Sequence, residues 1–96
     1  MAGFEKLDPL LHNQLRLAIV SLLVGVESAE FNYLLENTGA TKGNLSAQIT
    51  KLKEAGYISV EKSFRNNYPC TTCKIEQKGV KAFEGYVKAI SGYLKR

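Results

Sequence analysis

Thr41, Lys42, Gly43, Asn44, Ser46, Ala47, Gln48 and Lys51 all fall within the stretch Ala40 to Gly56. At 100° per residue, Gly43, Ala47, Thr50 and Glu54 share one helix face, flanked by Asn44 and Lys51. The chemistry this set can do is recognition rather than bond-making. Amides and hydroxyls hydrogen-bond base edges, small side chains let a helix backbone approach a partner closely, and lysines neutralise phosphate. An ordinary amphipathic helix that is poor in acid has the same composition, so this stretch alone leaves both readings open.

Bond-making chemistry finds little support. The chain has one histidine, His12, no phosphate-binding glycine loop, and no paired carboxylates with an evident partner. Cys70 and Cys73 form a C-x-x-C, but a structural zinc site needs four ligands and no second pair follows. In a strand, positions three apart point to opposite faces, so Cys73 joins Ile75 toward the core while Cys70 faces outward. No catalytic residue, metal ligand or cofactor is therefore expected. His12 reads as a surface or interface residue, and Glu27, Glu30 and Glu36 as solvated charges.

The elements that must position the recognition set are legible. Thr41 is a natural N-cap, and Gly56 sits where a left-handed C-terminal residue belongs. Leu45, Ile49 and Leu52 supply a narrow apolar stripe between them. A shorter helix precedes it, from about Glu30 to Asn37, with Phe31, Leu34 and Leu35 on one face and Gly39 at the turn. Two helices joined by a tight glycine-containing turn make a helix-turn-helix, at about residues 30–55. That context favours recognition over the bland reading of residues 40–56.

After Gly56 the hydrophobic period changes from 3.6 to 2. Ile58, Val60, Lys62 and Phe64 lie on one side of a strand, and Cys70 to Ile75 returns as its partner. The intervening Arg65-Asn66-Asn67-Tyr68-Pro69 reads as the turn. Arg65 at its tip is placed to reach an adjacent groove or a phosphate. The hairpin, at about residues 58–75, is too small to stand alone and must lean on the helices.

Two helices flank this unit. Asp8-Pro9 predicts the start of the first, which runs to about Val24 with Glu27-Ser28-Ala29 as a polar connection after it. Its wide apolar surface, including Leu11 and Leu15, suits either a central core helix or a face shared with a second subunit. The last helix runs from about Gln77 to Lys95, where Val80, Phe83, Val87, Ile90 and Leu94 form an a/d seam. Such a seam packs on a partner copy or on the first helix; we take the partner as the expected arrangement. Leu11, Leu15, Phe83, Val87, Ile90 and Leu94 are its expected interface residues.

Ninety-six residues make one domain, and a fold this small gains from dimerisation. Residues 1–40 carry 2 basic and 5 acidic side chains, net −3, whereas residues 41–96 carry 11 and 4, net +7. That asymmetry suggests a polyanion-facing second half. The most apolar run, Leu17 to Val26, is far short of the ~20 residues a membrane span needs, and no signal peptide is visible. A cytoplasmic protein without a membrane partner is expected.

The succession of Thr38-Gly39, Gly43-Asn44-Leu45-Ser46, Leu52-Lys53-Glu54-Ala55-Gly56-Tyr57-Ile58, the Phe64–Pro69 loop, Thr72, Ile75 and Lys78-Gly79 resembles a known family. It is similar to the small winged-helix transcriptional regulators related to the MarR and ArsR groups, over roughly residues 9 to 90. The resemblance implies a mainly α fold with a small β-hairpin, a winged helix-turn-helix whose terminal helices form a homodimer. It implies double-stranded DNA as partner, with Thr41, Lys42, Gly43, Asn44, Ser46, Ala47, Gln48 and Lys51 near the major groove. Arg65, Asn66 and Asn67 would then sit on the wing. Two features depart from the pattern: Glu76 stands where the family has a capping threonine, and only Arg65 makes the wing tip basic. Two other functions fit the same residues. One is a protein-interaction module within a transcription-related complex, and the other is a ligand- or thiol-responsive regulator with Cys70 as sensor.

Overall fold

The computed structural model describes residues 4–95. Four helices, α1 (Gln14–Val24), α2 (Phe31–Thr38), α3 (Lys42–Glu54) and α4 (Gln77–Leu94), surround a three-stranded antiparallel sheet. Its strands are β1 (Ala29–Glu30), β2 (Ile58–Arg65) and β3 (Tyr68–Ile75), in the order β1-β3-β2.

Helix α3 begins and ends where its sequence directs. The Thr41 side chain accepts a hydrogen bond from the Asn44 amide at 3.2 Å, and Gly56 takes φ +80° just beyond the last turn. Gly39, at φ +69°, turns the chain sharply between α2 and α3. Leu45, Ile49 and Leu52 are buried against Leu34 of α2 and Ile19, Val20 and Leu23 of α1, in one continuous core. This packing turns the opposite face of α3 outward.

The structure corrects several expectations. Asp8 does not start α1. Its Oδ1 accepts from the Leu10 amide and its carbonyl from the His12 amide, which closes a separate turn, and Asn13 then caps α1 through the Arg16 amide at 2.9 Å. Ala29, read as the end of a connection, and Glu30, read as the start of the next helix, form an edge strand in which Ala29 pairs with Cys73 and Glu30 with Thr72. Two residues are too few to show a period, although buried Ala29 is an apolar residue among polar ones. The five-residue hairpin turn shrinks to Asn66-Asn67, at φ +52° and +66°, because asparagine tolerates the left-handed pair that a two-residue hairpin demands. Arg65 and Tyr68 are consequently a paired rung of the ladder.

Helix α4 lacks a side-chain cap at Glu76. What holds its start is backbone: the Glu76 amide donates to the Tyr57 carbonyl at 2.9 Å, and Gly79 lies directly against that same carbonyl. The approach sets the helix rotation. Gly79, Tyr86 and Ala89 are buried, with Ala82, Phe83 and Ile90 half-buried beside them, so the inward stripe is centred toward Gly79, Tyr86 and Ala89 and shares only Phe83 and Ile90 with the expected seam. Val87 and Leu94 remain exposed. Leu11 is fully buried in the chain's own core, which removes it from the expected interface set.

The amino-terminal segment braces α4 and the start of β2. His12 Nδ1 lies 3.0 Å from the Tyr86 hydroxyl, Tyr93 donates to the Glu5 carbonyl at 3.0 Å, and the Tyr57 hydroxyl donates to Asp8 Oδ2 at 2.5 Å. Partial burial, reinforced by Asp8, pushes the Tyr57 phenol up to about 12, from an ordinary value near 10. A raised folded-state value favours the protonated ring, so this bond's contribution is complete below about pH 10 and is lost as pH rises through about 12. Phenolate absorbance should show a component titrating near pH 12, and that component should vanish in Tyr57→Phe.

Candidate nucleic-acid interface

The exposed surface of α3 gathers most of the expected set on one element. Thr41, Lys42, Gly43, Asn44, Ser46, Ala47, Thr50 and Lys51 are exposed, and Gln48 is half-buried at the margin toward α1. An added Cβ at Gly43 would meet nothing within 4 Å, so the start of the helix offers open space. Lys42 and Lys51 stand one at each end of this face, separated by the small residues Gly43 and Ala47.

The polar groups at the α1 margin are already organised. Arg16 Nη1 donates to Gln48 Oε1 at 2.5 Å, and Gln48 Nε2 donates to Asn44 Oδ1 at 3.0 Å. Arg16 is itself anchored by its Nε–H on the Leu10 carbonyl at 2.6 Å.

The hairpin divides its charges between two faces. Register pairs Lys62 with Thr71 and Val60 with Cys73, on the side that packs toward α3, whereas Arg65 projects on the other side with Tyr68 and Thr72. Arg65 donates to Glu30 Oε2 at 2.7 Å, and this contact raises the guanidinium pKa further. Its charge is therefore partnered on the sheet face turned away from α3. Asn66 and Asn67 remain at the hairpin tip, where φ is positive, flanked by exposed Phe64 and Tyr68.

Lys62 instead faces α3 across a cleft of about 310 Å³, whose walls also carry Ser46, Thr50, Lys53 and Thr71. Phe31, Ile49 and Val60 line the cleft beside these two cations and three hydroxyls, and the cations and hydroxyls are the groups an anionic strand would meet. Lys53, Lys62 and Thr71 lie outside the expected contact residues, and Thr50, although read as part of the outward α3 face, is not among them either. The signal was present in the alternation of Ile58, Val60 and Lys62, which puts Lys62 on the same face as two core residues.

The cysteines separate as strand geometry requires. Cys73 is fully buried, and burial pushes its thiol up to about 11, while Cys70 is half-buried beside Thr72 Oγ1 at 4.0 Å. Among the described residues no group of three or more His, Cys, Asp or Glu could hold a metal ion. No helix among them is long and apolar enough to cross a membrane.

Comparison with known proteins bears on this arrangement. A family model described as a winged helix DNA-binding domain matches residues 15–94. An uncharacterized protein of Methanocaldococcus jannaschii is 41% identical over 75 residues, covering 78% of this chain and 82% of that protein. Among solved structures, a transcriptional regulator homologue from Pyrococcus horikoshii superposes with a TM-score of 0.82 at 24% identity, covering 88% of this chain and 84% of that one. NadR in complex with 4-hydroxyphenylacetate matches with a TM-score of 0.72 at 19% identity, over 90% and 63% of the two chains. A MarR family transcriptional regulator from Silicibacter pomeroyi gives 0.65 at 10% identity, over 86% and 58%. The fold, four helices around a three-stranded sheet, is the winged helix.

Proposed function

Because the chain belongs to the winged helix DNA-binding domain family, and not to a family of enzymes, we propose that it is a sequence-specific transcriptional regulator. It reads double-stranded DNA with α3 in the major groove. The observation that carries this reading is the outward face of α3: small, polar and bracketed by Lys42 and Lys51, on a helix whose other face is locked into the core. The backbone of one strand runs along the cleft between α3 and the sheet, where Lys53 and Lys62 neutralise phosphate and the Ser46, Thr50 and Thr71 hydroxyls lie within reach. Asn66 and Asn67 lead the hairpin to the flanking groove. Arg65, tied to Glu30, holds the hairpin against β1 rather than supplying the wing's main charge.

The protein acts as a homodimer in this reading, which places two half-sites about one helical turn, ~10 bp, apart. Supporting it, Val87 is 46% and Leu94 79% exposed on the outer ridge of α4, where no other described element covers them. Leu15, Phe83 and Ile90 lie half-buried and pack mainly within the chain, so they border such an interface rather than form its centre. A cytoplasmic location follows from the proposed target.

Binding-site selection on random duplex DNA, with the selected complex sized by sedimentation, tests the proposal. A recovered pseudo-palindrome bound by two chains is expected; no enrichment at low salt would overturn DNA reading, and one chain per site would remove the homodimer. The cleft is tested separately. Each phosphate neutralised contributes about 0.9 to the slope of log K against log salt. Lys53→Ala and Lys62→Ala should therefore each lower that slope by about 0.9 without altering the selected sequence, whereas Arg65→Ala should leave it nearly unchanged.

A further inference from the structure

We propose that Arg16, which lies on α1 outside the reading helix, sets which atoms the reading helix offers to DNA, and that it does so by fixing two amide orientations in series. The inference rests on the DNA-reading role of α3 and adds the base it prefers.

The argument follows from donor and acceptor chemistry. A guanidinium has only N–H donors, so the Gln48 atom 2.5 Å from Arg16 Nη1 must be the carbonyl oxygen. That choice turns Gln48 Nε2 away from Arg16, toward Asn44. An NH₂ group can only donate, so the Asn44 atom that it meets at 3.0 Å must be Oδ1. Asn44 is exposed, and its Nδ2 with two N–H donors is left pointing outward. The sequence Arg16, Gln48, Asn44 thus works as a relay of polarity: a positive charge on α1 ends as a pair of donors on the open face of α3.

Arg16 can hold this setting because it is fixed at both ends. Its amide caps onto Asn13, and its Nε–H is bonded to the Leu10 carbonyl, so the guanidinium is oriented before any partner arrives. Without Arg16, Gln48 and Asn44 could reverse together at little cost, since each amide would find an equivalent bond in the flipped state.

The usual asparagine contact with adenine needs both a donor and an acceptor, for N7 and N6. Here one lone pair of Asn44 Oδ1 is engaged by Gln48, which turns that oxygen toward Gln48 and leaves the two Nδ2 donors as the amide end with no bond to Gln48. The purine edge that presents two neighbouring acceptors is guanine, through N7 and O6. Arg16 is accordingly a positioning residue that biases Asn44 toward guanine.

Competition binding at the selected site and at sites substituted at each base pair reads this directly. In the full chain, one position per half-site should prefer guanine over the other bases by about tenfold, and Asn44→Ala should abolish that preference at that position alone. Arg16→Lys, which retains a donor, should keep most of the preference, while Arg16→Met should reduce it to about twofold or less. Gln48→Glu offers a second route that leaves the α1 anchor intact. Its carboxylate accepts from Arg16 and also from Asn44 Nδ2, so Asn44 reverses, its oxygen faces outward, and the preference moves to a base with an exposed amino group, adenine or cytosine. An unchanged guanine preference in both Arg16→Met and Gln48→Glu would overturn the relay while leaving DNA reading intact. Failure of the native protein to select any sequence would instead defeat the underlying function.

Discussion

Replacing Gly79 by alanine is expected to destabilise the domain by about 2 kcal/mol, within the range for overpacking a close contact. An added Cβ would lie 2.2 Å from the Tyr57 carbonyl oxygen and 3.1 Å from Ile75 Cγ1. Neither neighbour is the free end of a flexible chain. The carbonyl is backbone, and it also accepts the Glu76 amide that starts α4. Relief would require α4 to lift from the β2 entry, breaking that bond and shifting Tyr86 and Ala89 out of the core they help to close. For a domain of 96 residues, a loss of this size lowers Tm by about 10 °C.

Gly85, six residues along the same helix, is the control. A Cβ there meets nothing within 4 Å, so alanine should act only through helix propensity and stabilise by about 0.5–1 kcal/mol. The same substitution thus has opposite signs six residues apart. Chemical denaturation of both variants measures this; equal midpoints would show that α4 is not anchored at Gly79.

The second large effect belongs to the outward face of α3, under the proposed DNA-reading role. Ala47→Glu should weaken DNA binding by about 100-fold, or about 2.7 kcal/mol. Ala47 is exposed at the middle of α3, so the fold gives no reason for it to be small. Glutamate is a good helix former, and the variant should retain the native Tm. In the groove, however, it would add bulk where the backbone must come close, and a negative charge facing phosphate, where like charges cost several kcal/mol. Loss of binding with an unchanged thermal midpoint is the expected pair of results. Unimpaired binding by a folded Ala47→Glu protein would remove α3 from the groove and favour a protein-interaction role for this face.

A comparison of Arg65 with Lys62 shows where sequence reading reached its limit. Both are basic residues on the hairpin, and Arg65 draws attention because it adjoins the turn. Strand alternation alone separates them: Lys62 shares a side with Ile58 and Val60, and Arg65 does not. What alternation could not supply was the partner of each. Glu30 reaches Arg65 only because residues 29–30 pair with β3 as an edge strand, and a two-residue strand leaves no periodic trace. The Arg16–Gln48 bond likewise joins residues 32 positions apart, a separation that no local pattern encodes.

Local chemistry was sufficient wherever an element's own ends and faces decided the outcome. Thr41 and Gly56 bound α3, Gly39 turns the chain before it, and Leu45, Ile49 and Leu52 choose the buried face, so α3 and its outward residues follow from the sequence itself. The rotation of α4 did not. An a/d pattern specifies a stripe but not its phase when several apolar residues lie side by side, as Gly79, Val80, Ala82, Phe83, Tyr86 and Val87 do. Tertiary structure settled the phase at Gly79, the one position in that run small enough to lie against a backbone carbonyl, and so left Val87 and Leu94 outside. Caps and periodicity act between near neighbours and are written in the chain. Which charges meet, and which of two apolar stripes is covered, depends on contacts between distant segments and is fixed only when the elements pack.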